Sequence, residues 1–350
     1  MSCNIYVGGS APTNLAKLEN TKCGYLLKIL QKDGFTLSHN PCSQIFICLD
    51  FNKRQYSDFI SNGGTPERAF LIRIEPKAVF PAQYTKNTEA LFKHVFSPGL
   101  LESDSESILG WPHALEADPT NPGKEIIYFE DFQEKSIESV LASWNKRSIK
   151  LSMIAANKVS PISNANYGIR RDLAHKLPME TLHVYGSLWN SSFWDKAVHR
   201  LKVLKFNISY GTPVNLFSIY GNFFRKYSTA RGFVSNKFTI LNDSKFTLVI
   251  ENSNTYVSEK IFDAIYAGTI PLYIGPPLHK FGLPTNIVIP IKGDREEVLE
   301  ILQTITNEEI MRILKAGKSF LNEKIYLNEW TEDIVYKKIA KRIEQSFTSL

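Results

Sequence analysis

Apolar positions along the 350-residue chain change rhythm near residue 150. Beyond that point, short apolar runs alternate with segments whose apolar positions recur every three or four residues. "KLSMIAAN" (150–157), "TLHVYG" (181–186), "KFTLVIEN" (245–252), "TIPLYIG" (269–275) and "NIVIPI" (286–291) have the length and character of strands. "RRDLAHKL" (170–177), "EKIFDAIYAG" (259–268), "REEVLEILQTI" (295–305) and "NEEIMRILKAGKSFLNEK" (307–324) predict helices. Pro178 stops the first of these, and Gly268 caps the second. Strands alternating with helices of this length predict βαβ units and a parallel sheet.

The earlier part of the chain is less regular. "IFICL" (45–49) and "AFLIRI" (69–74) read as strands, whereas residues 96–125, rich in prolines and acids, read as an irregular excursion. "SIESVLASWNKR" (136–147) predicts an amphipathic helix with Ile137, Val140, Leu141 and Trp144 on one face, placed to bridge two domains. A chain this long exceeds what one core usually holds. Two α/β domains follow, residues 1–149 and 150–350.

Composition narrows the class without naming a reaction. Hydrophobic residues make up 43% and charged residues 22%, as in a soluble globular protein. The net charge of +6 is mild and acids are mixed throughout, so a phosphate-bearing ligand or an anionic membrane surface fits, and nucleic acid is not demanded. The four cysteines, Cys3, Cys23, Cys42 and Cys48, form no C-x-x-C pair and read as buried reduced thiols. No secretory leader and no apolar run long enough to span a membrane is visible, so a reducing, cytoplasmic setting is expected. The basic segment "KKIAKRIEQ" (337–345) reads as a solvated face, or as a weak contact with an anionic membrane at its inner face.

The most informative stretch is "ENSNTYVSEK" (251–260). It lies between a predicted strand and the next helix, at the carboxyl end of a parallel strand, where open α/β sheets bind ligands. Ser258 is expected to cap the helix, and Glu259 suits its first turn. Lys260 does not suit a first turn, because its charge opposes the helix dipole. Either it is merely solvated, or an anion docks there. Asn252 and Tyr256 offer neutral hydrogen-bonding groups, or turn chemistry and packing.

Together, "FTLVIENSNTYVSEKIFDAIYAGTIPLYIGPP" (246–277) and, more weakly, "IAANKVSPISNANYGIRRDLAHKLPMETLHVYG" (154–186) resemble the signature of the α-1,3-fucosyltransferases, glycosyltransferase family ten. The loop Ser253–Tyr256 is shorter than the family's usual one. The resemblance implies a GT-B architecture, two Rossmann-like domains facing each other across a cleft. GDP-fucose would be the donor, held by the C-terminal domain, and the acceptor glycan would sit on the N-terminal domain, with the last helix packing back on that domain. At the matching positions, Lys260 and Arg170 would contact the donor diphosphate and Glu259 the ribose. Asn252 and Tyr256 fall at donor-contacting positions; Arg171 adjoins Arg170 and is the alternative there.

The implied reaction inverts the anomeric centre and passes through an oxocarbenium-like transition state. Cations placed on the leaving diphosphate stabilise it, so no metal is obligatory, though a divalent ion could stimulate. The resemblance implies a base after a strand of the first domain, where "RAFLIRIEPKAVFP" (68–81) offers Glu75; the plain alternative pairs Glu75 with Arg73 or Lys77. Glu116 and Asp118 are weaker rivals. The acceptor implied is the O3 hydroxyl of N-acetylglucosamine or glucose in a lipopolysaccharide or surface oligosaccharide. Two further readings stay open: a GT-B transferase with another nucleotide sugar, and a catalytically inactive glycan-binding relative.

Overall fold

A computed structural model describes residues 3–11, 13–15, 18, 23–99, 108–111, 136–221, 223–323, 330 and 332–348. The chain divides into two units, Met1–Ile126 with Tyr326–Leu350, and Ile127–Ile325.

The first unit holds strands β1 (Asn4–Gly9), β2 (Thr36–Ser38), β3 (Ile45–Leu49), β4 (Ala69–Ile72), β5 (His94–Pro98) and β6 (Ile108–Trp111). They form one parallel sheet in the order β2-β1-β3-β4-β5-β6. β3 and β4 are buried along their whole length, which is why their sequences run apolar without alternation. The strand Ile108–Trp111 falls inside the stretch expected to be irregular; it continues the sheet beyond β5. The order reverses between β1 and β3, making their carboxyl ends this unit's switch point.

The helix Glu332–Thr348 closes the core of this unit. Val335, Tyr336, Ile339, Ala340 and Ile343 pack with Ile5, Val7, Leu26, Leu27 and Leu30. Its apolar face is thus buried, and Lys337, Lys338, Lys341 and Arg342 stay exposed.

The second unit holds β7 (Ile149–Ile154), β8 (Leu182–Tyr185), β9 (Ala230–Gly232), β10 (Ser244–Ile250), β11 (Ile270–Ile274) and β12 (Ile289–Pro290). This sheet is also parallel, in the order β12-β11-β10-β7-β8-β9. Numbered within the unit, that is 6-5-4-1-2-3, the strand order of a Rossmann fold read from its other edge. Its switch point lies between β7 and β10. Gly186, after β8, has φ +138, and a Cβ there would stand 2.3 Å from Ala155 O; only glycine lets the two strand ends approach so closely.

The helix Ile137–Asn145 belongs to the second unit, so that unit begins before residue 150. Trp144 Nε1 donates to Lys245 O at 2.8 Å, and its ring meets Phe246 edge-on at 5.3 Å. Arg147 Nη1 donates to Ser244 O at 2.7 Å and to Thr269 Oγ1 at 2.8 Å, which ties the helix to β10 and to the start of β11. Burial lowers the Arg147 pKa to about 10. Cys3, Cys23 and Cys48 are buried as expected, with no disulfide among the described residues, whereas Cys42 is exposed because it sits in the turn before β3.

Candidate functional site

In the second unit the segment "ENSNTYVSEK" leaves the carboxyl end of β10, at the switch point. Glu251 N still donates to Ile274 O at 2.8 Å, continuing the sheet by one residue. The Glu251 side chain turns inward and is fully buried; Oε1 accepts from Ser258 N at 2.8 Å. This bond closes the base of the loop. Oε2 is buried without a hydrogen-bond partner among the described residues. Within the loop, Asn252 Nδ2 donates to Tyr256 Oη at 2.8 Å, and the Ser253 and Thr255 hydroxyls are 2.8 Å apart.

A second element fixes the loop from outside. Asn166 N donates to Asn252 O at 3.0 Å, and Asn166 Nδ2 to Asn254 Oδ1 at 3.0 Å. One turn into the helix Tyr167–Lys176, the Arg170 guanidinium crosses to the end of β10. Nε donates to Ile250 O at 3.1 Å, Nη2 to the same oxygen and to Asn252 Oδ1 at 2.7 Å. Arg170 is only 4% exposed. Most of its fork is therefore engaged by protein, and only Nη1 lacks a partner among the described residues. Arg170 thus holds the loop together with the end of β10. Arg171, one helical step round, turns instead to Lys158 O at 2.8 Å, so the motif-facing residue is Arg170.

Tyr256 is also buried, with its hydroxyl bonded to Asn252, so it shapes the loop from within rather than projecting from it. Burial raises its pKa well above the ordinary phenol value, and the nearby Glu251 and Glu259 add to this. Burial lowers the Arg170 pKa, while Tyr167, Glu251, Tyr256 and Glu259 oppose that fall. Arg170, Glu251, Tyr256 and Glu259 thus form one electrostatic neighbourhood.

Lys260 is different. Its ammonium is half-buried, 3.0 Å from Ser258 Oγ and 3.6 Å from Glu259 Oε1. Glu259, not Ser258, occupies the helix-capping position, and the Ser258 hydroxyl meets the Lys260 ammonium instead. The helix Lys260–Tyr266 is under two turns long, so an anion here is met by the lysine charge more than by a macrodipole. A cavity of about 100 Å³ opens beside it, walled by Ile154 at the end of β7, by Thr247, Leu248 and Val249 of β10, and by Lys237, Glu259, Lys260 and Asp263. It has room for one chemical group rather than a whole nucleotide sugar. Lys237 Nζ pairs with Asp263 Oδ2 at 2.7 Å, and burial raises the Asp263 pKa to about 6. Lys237 and Asp263 carried no signal in the sequence, and Glu251 stood in the motif without a role of its own.

The first unit holds a separate polar cluster at its own switch point. Asp50, directly after β3, is buried with φ +57, a left-handed conformation that aspartate tolerates better than most residues. Its Oδ1 accepts from Ile74 N at 2.8 Å, Glu75 N at 2.9 Å and Gln83 Nε2 at 3.0 Å. Burial raises its pKa, against those hydrogen bonds. Gln83 Nε2 and Tyr84 Oη both donate to Glu75 O, at 2.8 and 3.1 Å. The backbone of Glu75 is thus clamped on both sides, and its side chain is half-buried. Arg73 does not pair with Glu75: it is fully buried and bridges to Glu89 at 2.6 Å and to Gln83 O. Ser10, beyond Gly9 at the end of β1, donates to Leu49 O at 2.9 Å, and its Oγ lies 3.3 Å from Asp50 Oδ2. Glu116 and Asp118 lie outside the described residues. Among the described residues, no three His, Cys, Asp or Glu side chains come together to hold a metal ion.

No protein-family model matches the chain, and no curated protein matches it in sequence. Solved structures do match in fold. An α1,3-fucosyltransferase is 16% identical, with 99% of this chain and 89% of that chain covered and a TM-score of 0.51. The α1,3-fucosyltransferase with GDP gives 16%, the same coverage and 0.50. Anabaena Alr3699/HepE in complex with UDP gives 9%, full coverage of both chains and 0.51. These likenesses, with the two parallel sheets, show that the chain has the GT-B glycosyltransferase fold found in α1,3-fucosyltransferases and in HepE.

Proposed function

We propose that the chain is an inverting glycosyltransferase that moves L-fucose from GDP-fucose to a hydroxyl of a glycan. The observation that carries this reading is Lys260: a half-exposed cation beside Glu259, at the start of the helix that follows the switch-point strand of a GT-B fold. The motif resemblance around it supports GDP-fucose as the donor.

In this proposal Lys260 lies against the donor diphosphate and Glu259 meets the ribose. Asn252 lines the donor with its amide, and Tyr256 and Arg170 keep Asn252 in place. Nη1 of Arg170 adds one further donor. As the acceptor oxygen bonds to the anomeric carbon, its proton passes to Glu75. The bond from that carbon to the phosphate oxygen breaks, and GDP leaves with the electron pair. Negative charge grows on the leaving oxygens, so the Lys260 cation binds the transition state more tightly than the ground state.

A second reading is a different nucleotide sugar, favoured by the equal TM-score, 0.51, of HepE in complex with UDP and by the short loop Ser253–Tyr256. A donor panel separates the two. Release of GDP from GDP-fucose in the presence of a glycan array, followed by linkage analysis of the product, is the expected result. Turnover of a UDP-sugar with none of GDP-fucose would replace the first reading with the second. Binding of glycans with no turnover of any donor would leave a glycan-binding protein.

A further inference from the structure

The helix Phe193–Ser209 in the second unit presents its apolar side to water. Its two fully buried positions are polar, Arg200 and Asn207, with Ala197, Val203 and Leu204 half-buried beside them. Arg200 Nη1 donates to Tyr220 O at 3.4 Å, its guanidinium lies 4.4 Å from the Phe223 ring centre, and Asn207 Nδ2 donates to Val203 O at 2.8 Å. The outward stripe is Trp194, Val198, Leu201, Lys205 and Ile208, spaced by four and three residues and exposed throughout.

Neighbouring segments extend the same surface. Phe193 stacks on Phe224 at 6.1 Å, meets Trp194 edge-on at 5.4 Å, and meets Phe223 edge-on at 4.9 Å. Trp194 is 74% exposed, Phe217 84%, Phe224 83% and Phe233 79%. Among the described residues, eleven of the twelve exposed large hydrophobic side chains fall in residues 193–233. Such concentration marks an interaction surface rather than scattered exposure. The same residues carry seven lysines and arginines against one acid, Asp195, which is engaged in the helix's capping box with Ser192; Arg200 is buried and Arg225 pairs with Asp172, which leaves Lys196, Lys202, Lys205, Lys226 and Arg231 to the surface.

We infer that the face formed by residues 193–233 docks this protein onto an anionic lipid bilayer. Charge selects this partner, since five surface cations against Asp195 surround its apolar tips. The manner of exposure agrees. Side chains three-quarters exposed project from the surface rather than line a groove, and projecting rings suit the soft boundary between headgroups and acyl chains. Lys202 and Lys205 stand on the same helix side as Val198 and Leu201, so their stems lie along apolar surface while their ammonium groups reach phosphates. The inference does not rest on the transferase reading, because none of these residues belongs to the 250–260 loop or to the Glu75 cluster.

Co-sedimentation of the full chain with vesicles tests it. Vesicles of mixed phosphatidylglycerol and phosphatidylcholine are expected to retain the protein at low salt, vesicles of phosphatidylcholine alone to retain far less, and high salt to release it. The variant Trp194→Ser/Phe217→Ser/Phe224→Ser and, separately, Lys202→Ala/Lys205→Ala are each expected to lower binding to the anionic vesicles by at least about tenfold. The lysine variant removes no packed apolar group, so it reads the surface even if the aromatic variant unfolds. Failure of the wild type to bind the anionic vesicles would overturn the inference. So would a wild-type dimer that the aromatic variant turns into a monomer, since a second copy would then own the face.

Discussion

Arg170 Nη2 donates to Asn252 Oδ1 at 2.7 Å, and this bond joins the helix Tyr167–Lys176 to the loop that leaves β10. The same guanidinium holds Ile250 O, so one side chain fixes both the end of the strand and the first residue of the turn. A lysine ammonium is a point donor and cannot reproduce this fork. Arg170→Lys is expected to lower stability by about 2–4 kcal/mol, because it leaves buried acceptors unmatched. Urea unfolding and GDP titration should show the two losses together. Lost GDP binding with unchanged stability would instead make Arg170 chiefly a phosphate contact.

Lys260 should behave in the opposite way. Its ammonium is half-exposed and, among the described residues, bonded to Ser258 and Glu259 alone. Lys260→Ala is expected to change stability by no more than about 0.5 kcal/mol. Turnover with the active donor should fall at least about tenfold. Lys260→Arg, which restores the charge, should recover part of that activity. Full activity in the alanine variant would remove the clamp role.

Glu75 and Asp50 separate proton transfer from positioning. Glu75→Gln keeps shape and removes the proposed base, so kcat should fall by about 10²–10⁴ while GDP affinity stays at the wild-type value. Asp50→Gly and Asp50→Ala both remove the acceptor for Ile74 N, Glu75 N and Gln83 Nε2. The alanine variant must also adopt φ +57, so it should be about 1 kcal/mol less stable than the glycine variant. Equal stabilities would mean that the turn relaxes once the carboxylate is gone.

Asp263 gives a pH dependence. Its folded pKa, about 6, lies above the unfolded 3.8. Between those values the folded chain holds the proton more firmly, so raising the pH through this window removes stability, by up to about 3 kcal/mol from this group. Asp263→Asn stays neutral and does not share that decline. Its stability relative to wild type should therefore rise from pH 4 to pH 7 in chemical unfolding. A constant difference across the window would show that Lys237 keeps the carboxylate ionised throughout.

Sequence patterning exposed the second sheet well because its strands are short apolar runs separated by clear helices. The residues of "ENSNTYVSEK" also stood out, since a lysine at a helix start conflicts with local preference. Other parts were hidden for physical reasons. Glu251 and Asp50 look like ordinary acids; their burial follows from parallel strand ends converging at switch points, which no local window contains. The strand Ile108–Trp111 was masked by prolines and acids on either side. The helix Phe193–Ser209 escaped notice because its apolar stripe faces outward, which inverts the pattern used to find a core-facing helix.

The helix Glu332–Thr348, which completes the first core, sets an order of events during synthesis. A ribosome delivers Ile5, Val7, Leu26 and Leu27 early, but their partners Val335, Ile339 and Ile343 only at the end of the chain as given. The second unit, whose residues run without interruption from 127 to 325, emerges whole in between. Domains that are contiguous usually fold as they appear, starting from the N-terminus. Here the order is reversed: the unit started first is finished last, and until then its nascent core offers a bare apolar groove for chaperones to guard.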